Sequence, residues 1–506
     1  MPMLVEMVLF VGDSWDSNTE FVWLDSGDEH WVDSGIVVNA CQQGYAGKKY
    51  WDQTIISVTP PQFRTDHASG GYCKLSFGDI TLTRDVFNIA SIWPPPQSTP
   101  VVISYADEND VITELFNGTA HRQKISRDGY TYQFYERTFD QMLLDEDTEF
   151  GYDTSQESGV LTIGKRYKIE YWNDNDDFTN VGGVNADGAE FIAIGTTPNH
   201  WEHSSSLYTT IPLPIAFGQI THQQPSRLID AESGNIRYSA GYLTGSKHTD
   251  WHVYDDGVDI CSNATEIVDN VLELTASPVG EVTMSGTGED TSLINIFEWA
   301  CADSLLNLSY ESTYATAFNV SHWANSQEVL VSFLDRIAAS ACHLFHIKND
   351  TMTLIDMDSD VGDDFNLTEA DFFPSSITFA APVALIKTTW TDRIAVEETI
   401  GKHIKEIPQE VSISGLHPYG SEETIDCFQT SRQDVVASLT RVLTYIKAVR
   451  WETSIPIKDP LPLPGSKISA YDESMGQGIQ ITIHARDIEY DFGNHTIMIA
   501  GEGTVV

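Results

Sequence analysis

Through much of this chain, apolar and polar side chains alternate in short runs, each closed by a Gly, Asp, Asn or Pro turn signal. Residues 71–77 are the clearest case. Tyr72, Lys74 and Ser76 alternate with Cys73, Leu75 and Phe77, the period of two that only an extended strand presents to one face. Gly78-Asp79 then signals a turn, and Ile80 to Leu82 resumes the pattern. Asn117-Gly118 and Arg127-Asp-Gly129 are further hairpin signals, the second followed by Tyr130 to Phe134. Leu4 to Val11, Glu20 to Leu24, Gly35 to Ala40, Thr54 to Val58 and Val101 to Tyr105 also read as strands, and Pro94-Pro-Pro96 as a rigid connector. With 11% aromatic residues, this spacing predicts a barrel or sandwich over residues 1–157.

The whole chain has 506 residues, too many for one core. Residues 158–210 read as a small inserted β-module. It comprises Leu161 to Ile169, an acidic loop at Asn173-Asp-Asn-Asp-Asp177 running into Phe178-Thr-Asn-Val-Gly182, and Gly188 to Thr196. Residues 211–375 read as an α+β middle domain. Its first helix is predicted over Thr291 to Leu308, with Leu293, Phe297, Ala300, Cys301 and Leu305 at helical spacing. A second is predicted to open at Asn325, with Glu328 completing a capping-box variant. Its stripe would be Val329, Phe333, Ile337, Ala341 and Leu344, with Met352 to Met357 following as a strand. Residues 376–506 return to β-structure, interrupted by one helix from Ser431 to Arg450 that packs Val435, Leu439, Val442, Leu443 and Ile446. Pro456, Pro460, Pro462 and Pro464 then hold the chain extended before the closing strands. The expected fold class is mainly β with a smaller α+β part.

Asp and Glu number 74 against 28 Lys and Arg, a formal net charge of −46. That balance disfavours nucleic-acid phosphate binding and anionic membrane surfaces. It leaves open a surface tuned to saline surroundings, simple solubility in a large assembly, or the wall of a conduit that DNA passes without sticking. Cys41, Cys73, Cys261, Cys301, Cys342 and Cys427 are widely spread and form no CxxC pair, so no disulfide framework is expected. Cys301 and Cys342 read as small buried hydrophobes in helices. The start lacks a basic leader and contains Glu6, so no signal peptide is read there. No run approaches the ~18 apolar residues of a membrane span.

Candidate chemistry is sparse. Leu9-Phe-Val-Gly-Asp-Ser-Trp15 resembles the nucleophile block of SGNH-type hydrolases, which would make Ser14 the nucleophile. The Asp-x-x-His block that family carries 150 to 200 residues later has no counterpart. Asn109-Asp110 imitates the family's oxyanion asparagine, but Asp107 stands where the family has glycine two residues before it. His200-Trp-Glu-His203 and His343 with His346 invite a metal reading, the second pair as one helical turn apart, but neither supplies third and fourth ligands. Asp356-Met-Asp-Ser-Asp360 starts like a calcium loop, yet Val361 stands where glycine is required and Leu367 where the bidentate Glu belongs. The Asn173–Asp177 loop reads as solvated, with a loosely held cation the alternative. No GxxxxGK[ST] run occurs. Trp172 and Trp201 would suit stacking on sugar rings, or core packing. No residue is assigned a catalytic, cofactor-binding or metal-binding role, and no cofactor is expected.

One succession carries more. Pro212-Leu-Pro-Ile-Ala-Phe-Gly-Gln-Ile-Thr221 is followed by Leu228-Ile-Asp-Ala231, Asn235-Ile-Arg-Tyr238 and Val253-Tyr-Asp-Asp-Gly-Val258. In this order the pieces resemble the middle of tail-tip hub proteins of long-tailed bacteriophages. The closing helix and proline segment resemble the last domain of the same proteins, and the 158–210 module resembles one that recurs inside phage structural proteins. The resemblance implies two β-barrel-type domains bracketing an α/β domain. It also implies a homotrimeric ring in the virion tail tip, made in the host cytoplasm, whose barrels form a pseudo-six-fold face. Its implied partners are a distal tail or tube protein, a tape-measure protein, a fibre or spike protein, and DNA passing without specific binding. The function implied is structural rather than enzymatic: a baseplate hub that helps gate the DNA channel. The alternatives are an SGNH-like esterase acting on host polysaccharide, or a carbohydrate-binding receptor module.

Overall fold

The structure is a computed structural model. It describes residues 3–505 except 11–34, 84–97, 107–111, 144–149, 230–235, 240–249, 358–364, 473–478 and shorter stretches between elements. Side chains are described from residue 59 onward. The described chain is mainly β, with three α-helices.

The alternating runs of the first 136 residues build a nine-stranded sheet. Its spatial order is 45–46, 50–53, 35–41, 3–10, 98–106, 112–125, 129–136, 79–83 and 55–58. Met3–Phe10 pairs antiparallel with both Gly35–Cys41 and Ser98–Ala106. Ile80, Leu82, Ile103, Ala120 and Tyr132 are buried on one side, as a strand period of two demands.

Residues 62–76 leave that sheet. Gln62–His67 and Gly70–Ser76 form a hairpin that joins strands of the middle and the end of the chain in an eleven-stranded sheet. Gly70–Ser76 runs parallel to His343–Lys348, and Gln62–His67 antiparallel to Ile479–Asp491. The alternation read in residues 71–77 is realised, with Cys73 and Leu75 buried and Lys74 exposed. Gly70 has φ +120°, and a Cβ there would lie 2.1 Å from the carbonyl oxygen of His343, so the crossing requires glycine. One apolar core, including Phe63, Leu344, Trp451, Ile483 and Tyr490, fills this junction.

Helix α1 spans Leu293–Ala300, α2 Leu330–Ser340 and α3 Arg432–Ile446. All are shorter than the spacing predicts. Helix α1 begins at Ser292, whose hydroxyl accepts from the Asn295 amide at 3.2 Å, and stops at Cys301. The chain then turns through Asn307 at φ 52°. Helix α2 does not open at Asn325, because His322–Ala324 is drawn into an antiparallel pair with Ile215–Phe217. Its N-cap, Val329, makes no side-chain bond, and Glu328 pairs instead with Arg336 at 2.5 Å. The stripe Val435, Leu439, Val442 and Leu443 of α3 packs on the junction core as read.

The strand Ser206–Pro212 hands over at Pro212 to Ile215–Phe217. Beyond it, two four-stranded sheets enclose a separate core of Trp251, Val253, Cys261, Leu272 and Met284. The pieces Leu228, Tyr238 and Val253 fall on strands of these sheets. Residues 166–192 form a small sheet with the flanking strands 150–156 and 206–212.

Candidate functional site

The longest antiparallel pair among the described residues is the hairpin of Val383–Glu398 and Gly401–Ser414. Its register is unbroken from Leu385 opposite Ser414 to Glu398 opposite Gly401. At its base Ile386, Thr388 and Val411 are buried in the junction core. Beyond Trp390 no described residue of the hairpin is buried until Val411. Burial does not hold the outer half, so other contacts must. Arg393, only 12% exposed, pairs with Glu281 and lies 3.5 Å from Glu406. Gln224 donates to the same Glu281. Gly257 sits so close to Ala395 that a Cβ there would meet the Ala395 methyl at 3.0 Å. One side of the outer half thus leans on the four-stranded sheet that contains Gln219–Gln223 and His252–Asp255. His222 lies nearby, with its pKa lowered first by burial and then by the Arg393 charge.

Gly401–Ser414 is the end strand of its sheet, and among the described residues nothing pairs with its outer edge. Lys402, Lys405, Glu406, Pro408 and Glu410 stand along it, the residue types that keep an edge from pairing indiscriminately. From sequence, residues 376–506 read as β-structure with one helix, and neither this hairpin nor its return strand is singled out. Gly401 between two runs of charged and β-branched residues was the available signal.

The 158–210 module offers a second surface. Val160, Ile163, Tyr171, Val184 and Ile194 are 53–70% exposed. Bonds from the Leu161 amide to the Thr196 carbonyl and from the Ile194 amide to the Val181 carbonyl gather the loops that carry Val160, Val184 and Ile194. The turn at Phe178–Gly182 is a 3-10 helix closed by Gly182 at φ 95°.

Ser14, Asn109, Asp110 and His203 lie outside the described residues. His343 and His346 are not on a helix. Helix α2 ends at Ser340, Cys342 turns the chain at φ 55°, and His343–Lys348 is a strand. Three positions apart on a strand, the two imidazoles point to opposite faces, so they share no metal. The apolar spacing of Leu344 suits either structure, which is why the helix reading failed. Cys342 accordingly lies in a turn. Both histidines are buried, and burial pushes His343 down to about 3 and His346 to about 4. Asp356 is buried against Arg441 of α3, with the His343 Nε2 atom 3.9 Å away. It is a structural ion pair rather than the start of a calcium loop.

The acidic loop is closed by its own bonds. Asp176 accepts from the Glu202 and Ser205 amides. Asp177 accepts from the Thr179 amide and hydroxyl and from the Asn185 and Asn199 side chains. The Asn199 bond leads these donors in holding the Asp177 carboxyl well below the usual range. Trp201 is buried, donating to the Ser205 carbonyl, and Trp172 donates to the Asp176 carbonyl. Both rings pack in or against the module core. Of the two uses the sequence offered for these rings, the structure shows core packing.

No family model matches the chain, and no curated protein matches it. Solved structures similar in loose outline include three tail proteins. The 43 kDa tail protein of prophage MuSo2 from Shewanella oneidensis shares 10% identity at a TM-score of 0.39, over 92% of this chain and 95% of that one. A tail protein from Neisseria meningitidis MC58 shares 8% at 0.31, over 70% of this chain and 97% of that one. Prophage tail protein gp18 from Listeria monocytogenes EGD-e shares 11% at 0.27, over 67% and 94%.

Proposed function

We propose that this chain is a structural protein of a phage tail tip, a hub that joins the tail tube to distal fibres or a spike and narrows the DNA channel. The observation that carries the reading is the hairpin of residues 383–414. It is rooted in the junction core, stiffened by the Arg393–Glu281 pair, and carries an open edge fourteen residues long. An edge of that length on a rigid arm suits strand addition between copies, which closes the ring and protects the edge. The order of pieces from Pro212 to Val258 supports the same reading, as does the exposed apolar end of the inserted module, a surface for a neighbouring tail component. The net charge of −46 suits a lumen that repels DNA, whose backbone carries one charge per ~1.7 Å.

The test is assembly. The full chain is expected to run as a trimer in native mass measurements. Removing residues 392–397 with 402–407 preserves the register at both cuts and should leave a folded monomer. A monomeric parent at high concentration, or a shortened chain that still forms trimers, overturns the reading. A virion image with the acidic residues outside and a neutral lumen would remove the charge argument alone.

A further inference from the structure

We infer that His252, Asp259 and Cys261 form a binding site for a zinc-type divalent cation. The strand His252–Asp255 turns through Asp256 and Gly257, both at positive φ, into Val258–Asp259. The 3-10 turn Cys261–Asn263 follows at once. This tight return brings residues seven and nine positions on from His252 back beside it. His252 Nδ1 and Asp259 Oδ2 are 2.8 Å apart, and the three ligand atoms all lie within 4.8 Å of one another. Tetrahedral zinc with its usual bond lengths would set neighbouring ligand atoms roughly 3.5 Å apart. Small side-chain movements therefore suffice.

Two bonds around the trio have the form of ligand support. The Val253 amide donates to Cys261 Sγ at 3.1 Å, which steadies a thiolate. The Cys261 amide donates to Asp259 Oδ1 at 2.9 Å, which leaves Oδ2 turned to His252. Such outer partners fix and tune metal ligands. Cys261 is wholly buried beside Trp251 and Met284, whereas His252 and Asp259 are partly exposed. The site is thus anchored in a core and open on one side, with a path for the ion and room for water as fourth ligand. One sulfur, one imidazole nitrogen and one carboxylate oxygen select zinc, cobalt or cadmium over calcium or magnesium. On binding, the Cys261 thiol gives its proton to solvent. The ion would clamp the turn carrying Gly257, the residue against which Ala395 of the long hairpin rests. The site does not depend on the trimer proposed above.

The test uses the full chain, stripped by chelator and titrated with Co(II) and then Zn(II). A thiolate-to-cobalt charge-transfer band should appear at one equivalent, and zinc should displace it. Cys261→Ser should abolish the band, and His252→Ala should weaken zinc binding at least tenfold. Absence of the band in the parent overturns the site, and so does its persistence in Cys261→Ser, because other buried cysteines (Cys73, Cys301 and Cys342) would then be its source. Should Cys261→Ser fail to fold, His252→Ala decides, since that side chain is 34% exposed and lies outside the core. Unchanged affinity in it overturns the proposal, and a tenfold loss sustains it.

Discussion

The eleven-stranded junction and the inserted module solve the same problem in opposite ways. The junction draws Phe63, Leu344, Trp451 and Tyr490 from across the chain into one core. Its buried charges are matched across similar distances, Asp356 meeting Arg441. The module closes on itself. Asp177 reaches only as far as Asn199, and Trp201 only to Ser205. Long-range closure makes the middle and the two ends of the chain one cooperative unit, while local closure leaves a unit that can fail by itself.

Removing one member of the junction's ion pair should have the largest effect. Arg441→Met leaves the Asp356 carboxylate buried without its cation, a change that typically costs about 3–5 kcal/mol. Chemical denaturation should show the main transition shifted by that amount. The double variant Arg441→Met with Asp356→Asn should recover much of it. A shift confined to α3, with strands 62–76 and 479–491 unmoved in amide exchange, would break the picture of one unit.

Trp201→Ala should be nearly as costly but should stay local. Emptying a buried indole costs about 3–5 kcal/mol. In a 50-residue module that is enough to separate a second, lower transition from the main one in calorimetry. A single lowered transition would show that the module and the junction unfold together.

Acid should distinguish the two regions in the reverse sense. His343 and His346 sit below their ordinary 6.5, at about 3 and about 4, because burial penalises the charged ring. The unfolded chain therefore binds protons first. Stability is full above pH 6.5 and falls as pH drops toward 4, by about 3 kcal/mol for His346 alone. His346→Phe should flatten that slope. The module has the opposite margin. Asp177 keeps its charge until well below the usual carboxylate range, so its loop should stay closed while the junction weakens.

How much of this was legible depended on the range of the interactions. The period of two in residues 71–77 correctly gave a half-buried strand. It did not reveal that the strand's partner is His343–Lys348, because pairing across some 270 residues leaves no local trace. Helix α3 was legible because its stripe repeats over four turns. The expected start of α2 failed because the pair between 215–217 and 322–324 overrides local capping. His343 and His346 were misplaced because Leu344 satisfies both periods. The trio His252, Asp259 and Cys261 went unnoticed, although Asp256-Gly257 announces the turn that assembles it. Cys261 had been read only as one of six scattered cysteines.

The smallest expected effect tests the module's self-closure most directly. Asp177→Asn keeps one oxygen for the Thr179 amide but places an amide nitrogen where Oδ2 accepted from Asn199. Two donors then face each other, and the Asn199 side chain must turn away. The global transition should not move. Amide exchange should speed up at Thr179 and Asn199, where the loop loses its anchor. Faster exchange in residues 343–356 instead would mean that the module's polar closure reaches the junction, and that the two regions are less independent than their bonds imply.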